Sequence, residues 1–130
     1  MWAVIPFKRI QKAKQRLAPI LSSEERELLS LNMLEDVLEA AISSEVFDGV
    51  LVATNCEEAI PIIRRKGILH LQTSADLGLN HAAGEAADWL LNKNIGTMCL
   101  FPADIPLASA AEFRHLVSCH SVNRGMTIVP

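Results

Sequence analysis

The stretch Thr97–Leu107, TMCLFPADIPL, constrains the fold most. Thr97 to Phe101 are apolar or β-branched in an unbroken run, which suits a central strand covered on both faces. Pro102 has no N–H for a ladder and ends the strand. Asp104 then stands between Pro102 and Pro106, just past the strand's carboxyl end. In open α/β sheets that edge is where ligands bind. A carboxylate held there by two rigid φ angles is a good first ligand for Mg²⁺; the other reading is a plain turn residue.

A second apolar run, Trp2-Ala3-Val4-Ile5, opens the chain and is expected to stop at Pro6. The loop Phe7–Leu17 follows. It holds Lys8, Arg9, Lys12, Lys14 and Arg16, and no acidic residue precedes Glu24. Such crowding in a protein of net charge −3 stores repulsion that a bound polyanion relieves. After an amino-terminal strand, this loop reads as a phosphate-binding segment. The alternative is a solvated helix face, because Lys8, Lys12 and Arg16 are spaced i, i+4.

The remaining chain alternates helix and strand. Ser22 and Glu25 have capping-box spacing, and Leu28, Leu31, Leu34, Leu38 and Ala41 give the next helix an apolar stripe. Val50–Thr54 reads as a strand. A helix whose regular part begins near Ile60, because of Pro61, ends in Arg64, Arg65, Lys66 and Gly67. Ile68–Leu71 is a short strand, with His70 as a half-buried strand residue. Asp76-Leu77-Gly78-Leu79-Asn80 leads into a helix with the stripe Ala82, Ala83, Ala86, Ala87, Leu90 and Leu91. Gly78 permits close backbone approach, and Asn80 is expected as the N-cap. Free amides at such a helix start face an anion or a ribose. Ser109 and Glu112 form another capping box, before a helix that buries Phe113, Leu116 and Val117. Met126–Val129 is expected as a fifth strand.

This alternation implies an α/β fold: a three-layer, Rossmann-like domain over residues 1–130 with a mostly parallel sheet. Basic loop, Gly78–Asn80 and Pro102–Leu107 then leave one edge of the sheet. Cations, amides and a carboxylate there suit a nucleoside triphosphate with Mg²⁺.

Bulk properties exclude other classes. No apolar run reaches the roughly 18 residues of a membrane span. The first strand is too short for a signal-peptide core, and no small-residue cleavage site follows it. Cys56, Cys99 and Cys119 read as reduced thiols of a cytoplasmic protein. The acidic balance and the absence of tyrosine argue against nucleic-acid binding. His115 and Cys119 are four apart, as metal pairs are, but no second pair accompanies them.

Three stretches carry a family resemblance. They are Ile5-Pro6-Phe7-Lys8 with Ala13-Lys14-Gln15-Arg16-Leu17, Gly78-Leu79-Asn80 with Ala82, and Pro102-Ala103-Asp104-Ile105-Pro106-Leu107. In this order the chain resembles the 2-phospho-L-lactate guanylyltransferases, nucleotidyltransferases of glycosyltransferase-A-like fold that serve coenzyme F-420 biosynthesis. The resemblance implies transfer of GMP from GTP to 2-phospho-L-lactate, phosphoenolpyruvate or a related phosphorylated three-carbon acid. It implies that Lys8, Lys14 and Arg16 hold the triphosphate, with Lys14 and Arg16 acting in catalysis. Gly78 and Asn80 then sit at the nucleoside, and Asp104 binds Mg²⁺. Family members are longer. Their later segment carries a Gly-rich Thr-Asn loop, acceptor contacts and a second acidic metal ligand that residues 1–130 lack. Two alternatives stay open: a non-catalytic GTP-binding module, and a guanylyltransferase of the molybdenum-cofactor type, although the latter's Gly-rich first loop is replaced by Lys8–Arg16. The expected fifth strand, ending at the last residues, would leave a sheet edge unpaired, which invites homodimerisation or aggregation.

Overall fold

Period-2 apolar runs separated by capped helices build a single parallel sheet in the computed structural model, which describes residues 1–8, 14–74, 78–122 and 125–128. The strands are β1 (Trp2–Phe7), β2 (Gly49–Thr54), β3 (Leu69–Gln72) and β4 (Met98–Leu100), in the order β3-β2-β1-β4. The helices are α1 (Ser23–Ser44), α2 (Ile60–Arg65), α3 (Leu79–Leu91) and α4 (Ala110–Val122). Short 3-10 turns cover Gln15–Leu17 and Glu57–Ala59. The three-layer α/β reading holds.

The two layers of helix are set by which side chains each strand turns outward. Ala3, Ile5, Phe7 and Val52 face a core filled by Leu34, Val37, Leu38 and Ala41 of α1, Ile63 of α2 and Phe113 of α4. Val4, Leu51 and Ala53 face the other way, against Ala86 and Leu90 of α3. The alternation along β1 therefore serves both faces, as a buried parallel strand requires. Phe47, Phe101 and Phe113 cluster at one end of the first core, with Phe101 and Phe113 centroids 4.7 Å apart. Trp2 and Trp89 close the second core at 6.0 Å. Gly49 makes room for them: a Cβ there would fall 2.6 Å from the Trp2 ring.

Caps behave as their spacing predicts. Ser22 Oγ accepts from Glu25 N at 3.1 Å, and the Glu25 carboxylate accepts from Ser22 N at 2.7 Å. Ser109 and Glu112 repeat the arrangement at α4. Pro61 lies in the first turn of α2, where no N–H is needed. Gly67 ends that helix at φ 67, and the basic residues beside it reach back to α1: Arg65 to Glu35 at 2.7 Å and Lys66 to Glu39 at 2.6 Å.

Several expectations are corrected. Pro6 does not end β1, which runs on to Phe7. Trp2 N–H donates to Thr97 and Phe101 N–H to Val4, so the even residues of β1 turn their backbone groups toward β4. That pairing finishes at Val4 opposite Leu100. Pro6 thus lacks a donor only where no partner strand remains, while the odd residues continue the β2 ladder. β4 is the edge strand of the described sheet, not a central one, and its Leu100 is 42 % exposed. Residues 126–128 form no strand, and Met126 and Ile128 are exposed; Val129 lies outside the described residues. Leu28 and Leu91 fit their helical stripes in spacing, but each is about 60 % exposed, although Ser30 and Leu90 close beside them are buried. β3 is shifted by one residue from the expected Ile68–Leu71. His70 is half-buried, and its Nε2 lies 3.0 Å from the Thr54 carbonyl oxygen. That oxygen can only accept, so the ring proton sits on Nε2.

Candidate active site

Because every strand pair is parallel, the segments after β1, β3 and β4 all emerge at one edge of the sheet. The segment after β4 is held from below. Phe101 and Ala103 are buried and Ile105 packs on the same core, so the intervening Asp104 is pushed to the rim. Its side chain is 56 % exposed. The segment after β1 returns at Lys14, which has φ 52 and ψ 39, the left-handed region that few non-glycine residues occupy. Its carbonyl accepts from Leu17 N and starts the 3-10 turn. Its ammonium reaches Asp104: Lys14 Nζ donates to Asp104 Oδ2 at 2.9 Å.

Lys14 has no acidic partner nearby in the sequence; its partner comes from a loop 90 residues away. Lys14's backbone also excludes one continuous helical face from Lys8 through Arg16. Arg9 and Lys12 lie outside the described residues. Lys8 and Arg16 are exposed, and neither has an ion pair among the described residues.

Gly78 is the residue that caps α3, with φ 101 and ψ 173, a combination essentially confined to glycine. Asn80 is therefore not the N-cap. It is the second residue of the helix, exposed, and its side chain makes no capping bond. The first amides of α3 have no acceptor inside the helix and no acidic residue in the first turn. Lys8 Nζ lies 3.9 Å from where a Cβ on Gly78 would be. The structure thus brings together Lys8 with Gly78, and Lys14 with Asp104, along one edge. Asp76 and Leu77 lie outside the described residues.

The donor set can be tested against a divalent ion. Among the described residues no three His, Cys, Asp or Glu side chains cluster as a protein-built metal cage would need. Asp104 offers one exposed carboxylate, with one oxygen held by Lys14. That fits Mg²⁺, which takes one or two carboxylates and completes its shell with phosphate oxygens and water. His115 Nε2 and Cys119 Sγ are 3.6 Å apart on α4, and among the described residues no third His, Cys, Asp or Glu completes a metal site with them.

The thiols of Cys56 and Cys99 are poor nucleophiles. Cys56 is fully buried, and burial, with a hydrogen bond from its Sγ to Glu58 at 3.0 Å, pushes it up to about 11. Burial pushes Cys99 up as well. For Cys56 the neutral form is favoured by the fold, so its stabilising contribution is complete below an ordinary thiol's range and is lost as pH rises from about 9 to about 11. Denaturant titrations of wild type and Cys56→Ala should therefore converge over that window, by roughly 1–3 kcal/mol. Parallel curves would mean that the Cys56 environment is not the one described.

A shallow open concavity of about 380 Å³ lies beyond this edge cluster, lined by Asn55, Glu57, Arg64, His70 and Gln72 among others. Nothing in the sequence flagged it, because its residues belong to separate elements without a motif.

The three-layer fold with its parallel sheet is nucleotide-diphospho-sugar-transferase-like. One solved structure of this kind, a putative nucleotide-diphospho-sugar transferase from Desulfovibrio desulfuricans, matches with a TM-score of 0.71 over 90% of this chain and 52% of that one. Identity is 12%, so the likeness is one of fold. The family follows from sequence: the profile described as "Guanylyl transferase CofC like" matches residues 1–130, and the chain belongs to that family. Curated relatives include a phosphoenolpyruvate guanylyltransferase of Sphaerobacter thermophilus, 31% identical over 98% of this chain and 61% of its own length. A 2-phospho-L-lactate guanylyltransferase of Methanothermobacter thermautotrophicus is 34% identical over 98% of this chain and 56% of its own. A 3-phospho-D-glycerate guanylyltransferase of Colwellia psychrerythraea is 36% identical over 88% and 54%. The chain thus spans between about half and three-fifths of the length of these relatives. Among the described residues, no helix is long and apolar enough to cross a membrane.

Proposed function

We propose that this chain is the GTP-holding part of a guanylyltransferase that moves GMP onto a phosphorylated three-carbon acid, with coenzyme F-420 biosynthesis as its pathway. The observation that carries this is the Lys14–Asp104 pair at the sheet's carboxyl edge, a phosphate-seeking cation beside a metal-seeking carboxylate. The names of the relatives support the acid class, and they differ in which acid they specify.

In this reading an oxygen of the acid's phosphate attacks the α-phosphorus of GTP. The α–β phosphoanhydride bond breaks, and pyrophosphate leaves with its electron pair. The nucleophile is already anionic near neutral pH, so no Ser, His or Cys base is needed. Lys8, Lys14 and Arg16 hold and neutralise the triphosphate, and Gly78 and Asn80 lie toward the nucleoside. Asp104 would hold Mg²⁺, which supplies charge neutralisation at the phosphates when bound.

The test uses purified protein with GTP and Mg²⁺, and each of phosphoenolpyruvate, 2-phospho-L-lactate and 3-phospho-D-glycerate in turn. GTP should bind, and pyrophosphate should appear with one of the acids. Arg16→Ala should weaken GTP binding about 3- to 10-fold while leaving the melting temperature unchanged, since Arg16 is exposed and ties nothing among the described residues together. Binding without pyrophosphate for any acid favours the non-catalytic module, a reading motivated by the partial coverage of the relatives. A protein that does not bind GTP overturns both.

A further inference from the structure

The Lys14–Asp104 contact poses a problem for a site that must accept a ligand, because each charge is already engaged by the other. The pair is not there chiefly to stabilise the fold. Its side chains are 26 % and 56 % exposed, and ion pairs that open to water contribute little. Yet both ends are placed with care. Asp104 is raised on the buried Phe101 and Ala103 between two prolines, and Lys14 is turned toward it by a left-handed backbone at the start of a hydrogen-bonded turn.

The consequence lies in what can replace each partner. A free triphosphate can satisfy Lys14, but it sets four negative charges beside a carboxylate that has just lost its cation. A divalent metal alone can satisfy Asp104, but it sets a dication beside an ammonium that has just lost its anion. Only a metal-complexed triphosphate gives both groups a new partner at once. At hydrogen-bond range, like-charge repulsion in a partly screened site is comparable in size to the attraction that is lost, and the two costs add.

We propose that the Lys14–Asp104 pair is a charge gate, by which this site selects a metal-complexed triphosphate over the free polyanion or the free metal. The inference rests on the nucleotide-site reading above and adds a specificity role to it. It makes a prediction of unusual sign: removing the carboxylate should improve binding of the metal-free anion.

The experiment measures inorganic tripolyphosphate binding by calorimetry at fixed ionic strength, in EDTA and in Mg²⁺, and Mn²⁺ binding alone by electron paramagnetic resonance. Asp104→Asn should bind tripolyphosphate in EDTA about 3- to 10-fold more tightly than wild type, and should lose most of the gain that Mg²⁺ gives wild type. Lys14→Gln should bind Mn²⁺ alone about threefold more tightly than wild type. This second arm carries the test by itself if Asp104→Asn proves unfolded by circular dichroism. The gate is overturned if Asp104→Asn binds the metal-free anion no better than wild type, or if Lys14→Gln leaves Mn²⁺ affinity unchanged. If both arms behave as stated but wild type fails to bind GTP with Mg²⁺, the gate stands and the guanylyltransferase reading falls.

Discussion

Leu38→Ala is expected to lower the stability of the fold by about 2–5 kcal/mol, read as a lower urea midpoint with an unchanged slope. Leu38 is fully buried in the middle of α1. It belongs to the cluster that joins that helix to Ala3, Ile5 and Val52 of the sheet and to Phe113 of α4. Truncation removes apolar contact and leaves a void between the sheet and the helices packed on that face. Leu28, on the same helix, is the control. It is 60 % exposed, so Leu28→Ala should stay within about 0.5 kcal/mol of wild type. Equal effects from the two would refute the described seating of α1.

Those two leucines also show how far sequence periodicity reaches. Spacing identified the helix and its apolar side, since that depends only on the turn of the helix. It could not tell which residues of the stripe are covered and which stand clear, because that depends on how the helix is rotated and seated against its neighbours. The same limit explains β4. A run of apolar residues looks alike in a central strand and in an edge strand, and only the pairing with β1 on one side distinguishes them. Local signals fared better. Both capping boxes, the helix start at Pro61 and the stop at Gly67 are decided within four residues of chain, and all are as their spacing implied.

The candidate site divides along the same line. Asp104 after its strand was legible because two prolines bracket it, and Lys8 and Gly78 because each stands at a predicted element boundary. The ion pair of Lys14 was not legible, since nothing local connects residues 90 positions apart. The cap of α3 was misread for a related reason. Asn80 has the better side chain for capping, but the chain enters the helix through a backbone conformation that only Gly78 tolerates.

That conformation is the basis of the last prediction. Gly78→Ala should cost about 1–3 kcal/mol in stability, because an L side chain at φ 101 and ψ 173 is strained wherever its atoms point. Crowding is not the cause: the nearest atom to the added Cβ would be Lys8 Nζ at 3.9 Å, an ordinary contact. The protein can relieve the strain only by rotating the residue that starts α3, which re-aims the first amides of the helix and shifts the surface that Lys8 lies over. GTP binding should therefore weaken about tenfold or more along with stability. Gly67→Ala separates the two effects. Gly67 also has positive φ, at 67, and nothing within 4 Å of its missing Cβ, but it lies between α2 and β3 at the opposite edge of the sheet. Its substitution should cost about 1 kcal/mol and leave GTP affinity unchanged. Should both variants lose stability while both keep wild-type GTP affinity, the start of α3 has no part in holding the nucleotide, and Gly78 is a structural glycine alone.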